Sequence, residues 1–118
     1  MLDVAHNEAA IKSLAETLKS KKVPTLAIFS ALKDKNIKLM INTIESCIDE
    51  WLIVPLSVNR AIKIQDLVEK FSLSSKITTC KDMESAIHQA LNTQQYQRVV
   101  IFGSFHTVAD AMKILDKY

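Results

Sequence analysis

The chain has 118 residues, of which 48% are hydrophobic and 24% charged, with a formal net charge of +2. That suits one globular domain with a real core, and excludes a disordered chain. No basic block or run of aromatics argues for nucleic acid, no apolar run is long enough for a membrane span, and no signal peptide opens the chain, so a soluble, cytoplasmic protein is expected.

In chain order, two periods alternate. Leu2-Asp3-Val4-Ala5 has the pattern of a short strand, followed by Ile11, Leu14, Ala15 and Leu18 at helical spacing, with Asn7 as the expected N-cap. Thr25 to Phe29 is a second apolar run, and Ile37, Met40, Ile41, Ile44 and Ile48 a second helical stripe. Trp51 to Val54 is a third strand, and Ala61, Ile64, Leu67, Val68 and Phe71 a third helix face. Lys76 to Thr79 is a weak strand. Asp82 caps the next stripe, Met83, Ala86, Ile87, Ala90 and Leu91. Val99 to Phe102 is the strongest strand, and Val108, Ala111, Met112 and Leu115 mark the last helix, with Ser104 or Thr107 as its cap and Thr107–Asp110 as a capping box. Short apolar strands alternating with amphipathic helices predict an α/β fold. It is a three-layer, Rossmann-like domain with a mostly parallel sheet of about five strands. Every apolar stripe is assigned to the core.

Two further features bound the chemistry. There is one glycine, Gly103. A loop that cradles a triphosphate needs several, so that backbone N–H groups can approach the oxygens. This chain therefore does not grip a triphosphate by itself. The two cysteines, Cys47 and Cys80, match no metal spacing and are expected to be buried free thiols. No catalytic triad, Cys–His pair or metal-ligand cluster can be assembled.

In an open α/β sheet, ligands bind beyond the carboxyl ends of the strands. The residues near or after the ends of the predicted strands are Asp3 (near its strand's end), His6 and Asn7; Ser30, Lys33, Asp34 and Lys35; Ser57, Asn59 and Arg60; Cys80 and Lys81; and Gly103, Ser104 and His106. Cations, hydroxyls, a carboxylate and two imidazoles on one edge suit an anionic, hydroxyl-bearing ligand. Asn7, Ser104 and Thr107 have a competing role as caps, Gly103 as a site of close helix–sheet packing, and His88 as a surface residue. His6 and His106 are not needed for packing.

"LDVAHNEAA" resembles the D-x-A-H-N-P signature that opens the C-terminal domain of folylpolyglutamate synthases. "VVIFGSFHTVADAM" resembles the closing signature of that domain, especially in bacterial bifunctional dihydrofolate synthase/folylpolyglutamate synthases. Between them, "ALKDKNI" is similar to the family's D-K-D loop and "NRAIKIQDL" to its R-A segment. The resemblance runs in order along residues 1–118, as one Mur-ligase-type C-terminal domain of a larger two-domain enzyme.

It implies ATP- and magnesium-dependent transfer of L-glutamate to dihydropteroate or folate through an acyl phosphate. The P-loop, the metal ligands and the folate pocket would lie on an N-terminal domain in cis, leaving this domain inactive alone. By position in the motifs, Asp3 and His6 are implied at the nucleotide, and His6 also at the incoming glutamate. Arg60 is implied at a glutamate carboxylate, with Ser104, His106 and Lys35 on the glutamate side. Glu8 stands where the family has proline, and Asn36 where it often has aspartate. Two other readings stay open: another amino-acid ligase of the superfamily, and a non-catalytic Rossmann-like ligand-binding module.

Overall fold

The structure, a computed structural model, describes residues 2–5, 8–33, 36–56, 62–72 and 74–117, with 2–5, 8 and 105 described by their backbone alone. Five strands alternate with five helices: β1 (Leu2–Ala5), α1 (Glu8–Ser20), β2 (Thr25–Phe29), α2 (Ile37–Ile44), β3 (Glu50–Ile53), α3 (Ile64–Val68), β4 (Ile77–Thr79), α4 (Met83–Asn92), β5 (Arg98–Phe102) and α5 (Phe105–Leu115). A 3₁₀ turn, Glu45–Cys47, extends α2.

The strands pair in the order β1-β5-β2-β3-β4, every pair parallel. Chain direction explains the layers. The steps from β1 to β2, β2 to β3 and β3 to β4 all advance the same way across the sheet, so right-handed crossovers put α1, α2 and α3 on one face. The step from β4 back to β5 reverses direction and carries α4 to the other face. Side-chain packing agrees. Ile11, Leu18, Ile41, Ile44 and Leu67 pack with Ala27, Phe29, Trp51, Ile53 and Phe102 on one side. Met83, Ala86, Ile87, Ala90 and Ala111 pack with Leu26, Ile28, Leu52 and Ile101 on the other. Consecutive residues of β2 thus alternate between two buried faces, and all five are buried.

On the α1–α3 face the core is aromatic. Phe29 lies 4.7 Å from Phe102, and Trp51 4.6 Å from Phe71, between ring centroids. These edge-on and tilted contacts join three strands to the segment after α3.

The expected α/β, three-layer architecture is present. Some details differ. Two members of the predicted core stripes are largely exposed: Leu91 at 54% and Met112 at 46%. Both lie on helices whose other apolar positions already cover the sheet. The third helix is shorter than its stripe, since Phe71 packs into the core from the turn after α3. Cys47 and Cys80 are free, and half-buried rather than fully buried. Asp82 caps α4 through Ser85 N at 2.8 Å, as expected. Asn7 lies outside the described residues.

Candidate functional site

The strand order places a crevice at the carboxyl end of β5. Its neighbours β1 and β2 are followed by helices on one face, while α5 follows β5 on the other. Connections that part to opposite faces leave a gap above the strand ends, where open α/β sheets bind ligands. Register aligns the exits: Ala5 stands beside Phe102, Phe102 beside Phe29, and Phe29 beside Ile53. The two resembling signatures therefore leave adjacent strands at a common edge.

A buried polar knot shapes this edge. Ser30, Ser104 and Thr107 are each at most 1% exposed. Ser104 caps α5, its Oγ accepting the Thr107 N–H at 3.2 Å, while Thr107 Oγ1 accepts the Ser104 N–H at 3.2 Å. The capping box is thus Ser104 with Thr107, not Thr107 with Asp110. The reason is the sharp exit at Gly103, which starts the helix three residues earlier. Thr107 Oγ1 also donates to the Ser30 carbonyl at 3.1 Å and lies 2.8 Å from Ser30 Oγ and 3.0 Å from Ser104 Oγ. A hydroxyl has one proton and two lone pairs. With the proton on Ser30 O and one lone pair on Ser104 N–H, the two serine hydroxyls compete for the other.

The sequence-derived site residues fall as follows. Asp3 lies within β1, opposite Val100 of β5. Ser104 is the α5 cap, and its side chain is turned into the knot. His106 is in the first turn of α5, half-buried. His6, Lys35 and Arg60 lie outside the described residues. Their flanks are informative. Val54 N–H donates to Phe29 O at 3.0 Å and Ile62 N–H to Ala31 O at 3.2 Å, so the chain on both sides of the Arg60 segment is pinned beside the end of β2. Asn36, after Lys35, caps α2 through Leu39 N at 3.3 Å. The departure at that position therefore keeps a helix start.

Ser30 and Thr107, 77 residues apart, are the contact that sequence reasoning did not pair. The one signal was the lone glycine between them. At the far side of the edge, Cys80 follows β4. Burial, then the charges of Asp82 and Glu50, push its thiol up, away from the thiolate form. Asp82 itself is held below the usual carboxylate range by the hydrogen bonds from Ser85. Among the described residues no three His, Cys, Asp or Glu side chains group as metal ligands.

Residues 1–105 match the family model described as Mur ligase, glutamate ligase domain. The chain belongs to that family. A dihydrofolate synthase/folylpolyglutamate synthase of Buchnera aphidicola (subsp. Schizaphis graminum) is 33% identical over 99% of this chain and 28% of its own length. Escherichia coli FolC in complex with DHPP and ADP superposes with a TM-score of 0.81, at 29% identity, covering 98% of this chain and 28% of that one. A bifunctional folylpolyglutamate synthase/dihydrofolate synthase with Mn, AMPPNP and L-glutamate bound gives 0.79 at 34% identity, covering 98% of this chain and 29% of that one. The glutamate ligase domain seen here thus spans a little over a quarter of the length of these relatives. Among its described residues no helix is long and apolar enough to cross a membrane.

Proposed function

We propose that residues 1–118 are the C-terminal domain of an ATP-dependent folate–glutamate ligase, and that the carboxyl edge around β5 is its glutamate side. The observation that carries this is the alignment of Ala5 with Phe102, which brings the two signature motifs out of the sheet together. In the proposed reaction the γ-phosphoryl group of ATP passes to a carboxylate of dihydropteroate or folate, releasing ADP. The glutamate amine then attacks the acyl carbon, phosphate leaves and an amide forms.

Asp3 is proposed to accept hydrogen bonds from ribose hydroxyls, and His6 to lie between nucleotide and glutamate. Arg60 offers a planar fork to a glutamate carboxylate. Ser104 is proposed to act by fixing the α5 N-terminus, whose dipole favours a carboxylate, with His106 in the first turn of that helix; Lys35 is proposed to act on the glutamate side as a further cation. The described residues do not fit a magnesium or triphosphate site, having one glycine and no ligand cluster. No step is routed through a metal on this chain, and a P-loop domain in cis is proposed to hold ATP and magnesium. Two free thiols suit a cytoplasmic location.

The test is ADP release by the full-length natural protein, given ATP–magnesium and L-glutamate with dihydropteroate, with folate, or with neither. Release that needs both glutamate and a pteroate supports the reading. Turnover only with another acyl acceptor assigns a different ligase of the superfamily, and no nucleotide turnover leaves a binding module. Either outcome rejects it.

A further inference from the structure

The opposite, amino-terminal edge of the sheet carries a second polar site. A cavity of about 490 Å³ opens there between the end of α1, the α1–β2 turn and the 3₁₀ turn after α2, walled in part by Lys19, Lys22, Cys47, Asp49 and Arg98. Arg98 opens β5 in register with Thr25, which opens β2. It is 1% exposed, and is the one buried lysine or arginine among the described residues.

Its Nε donates to Thr25 Oγ1 at 3.2 Å and a terminal nitrogen to the Lys21 carbonyl at 2.8 Å. A guanidinium has five N–H donors. Among the described residues no carboxylate pairs with it. Asp49 shares the cavity but accepts the Thr25 backbone N–H at 2.7 Å. A neutral side chain could make the two bonds Arg98 makes, whereas an uncompensated buried charge is costly. Exposed Lys19 and Lys22 add two cations at the mouth. Three cations therefore face one carboxylate.

We propose that this cavity binds a phosphate-type dianion, with Arg98 as its floor and Lys19 and Lys22 as its rim. A dianion balances the excess of two positive charges, and the N–H donors that Thr25 and Lys21 leave over can add charge-assisted hydrogen bonds at the floor. Most of the length of β5, about 13 Å, separates it from the candidate glutamate edge. It is thus a second site, and does not depend on the ligase reading.

The test is NMR titration of the 118-residue chain at constant ionic strength with inorganic phosphate and, separately, with a phosphate monoester, against chloride. Saturable shifts are expected at the Arg98 Nε–H and the amides of Lys22, Thr25 and Cys47, and none with chloride. Tighter binding of the monoester identifies a phosphorylated small molecule as the ligand, and the reverse identifies free phosphate. Lys19→Gln with Lys22→Gln, both on the exposed rim, should weaken binding about fivefold or more without unfolding the domain. Unsaturable shifts spread over the surface lysines, no response to either anion, or unchanged affinity in the double variant would overturn the proposal.

Discussion

The backbone at Gly103 passes so close to Ser30 that a Cβ there would stand 1.7 Å from the Ser30 carbonyl oxygen, at a φ of +138°. Two constraints thus fall on one residue. The left-handed backbone disfavours any L side chain, and the space is filled by main chain that cannot swing aside. Gly103→Ala should cost at least about 2 kcal/mol of stability, from backbone strain and a forced shift of β2 or β5. Chemical denaturation of the variant and the parent checks this. Equal midpoints would show that the edge is looser than these contacts imply.

The fold was legible because its signals are local. Every strand run and helical stripe lies within a few residues of the observed element, and Asp82 followed by Ser85 is a complete cap. What was not legible depends on non-local contacts. The Ser30–Thr107 bond joins residues 77 apart, and nothing near Ser30 announces it. The misassigned capping box arose because Gly103 sets where α5 starts, and that follows from β2 lying beside β5. Leu91 and Met112 fit helical stripes, yet how much of a stripe is covered depends on neighbours the stripe does not encode. Arg98 was passed over because a charged residue opening a strand is ordinarily solvated, and its burial follows from the α1–β2 turn folding across it.

Tyr96 gives a pH-dependent signature. Its hydroxyl donates to Glu50 Oε1 at 2.7 Å, and Glu50 also accepts from Thr78 and faces Lys76 at 3.7 Å. Burial first, then the Glu50 hydrogen bond and charge, push the phenol up to about 12 from its ordinary value of 10.0. A group raised on folding stabilises the fold below its unfolded value and loses that contribution as pH rises through the folded one. Stability should therefore decline between about pH 10 and 12. Glu50→Gln should move the Tyr96 midpoint down, read by ultraviolet titration of a variant lacking Tyr118. A midpoint near 10 in the parent would contradict the Tyr96–Glu50 hydrogen bond.

The 118-residue chain by itself should fold yet show no ligase activity and at best very weak ATP binding. Acyl-phosphate chemistry needs a metal and a clamp on the transferring phosphoryl group. The described residues offer no metal cluster, and the chain holds one glycine. A few polar contacts on a half-site leave little affinity after the entropy of association. Calorimetric titration with ATP–magnesium is the check. Micromolar binding, or glutamate-dependent ADP release from the pure chain, would show a self-sufficient protein. Phosphate binding at the Arg98 cavity is a separate event, and the Lys19→Gln, Lys22→Gln double variant distinguishes it.

The glutamate KM of Arg60→Ala in the full-length protein tests the central claim most directly. A charge-assisted hydrogen bond to a carboxylate contributes roughly 1.5–3 kcal/mol, about one to two decades in KM where KM follows binding. The account predicts a glutamate KM raised by that factor with the ATP KM little changed. A glutamate KM equal to that of the parent would contradict the placing of glutamate at this edge.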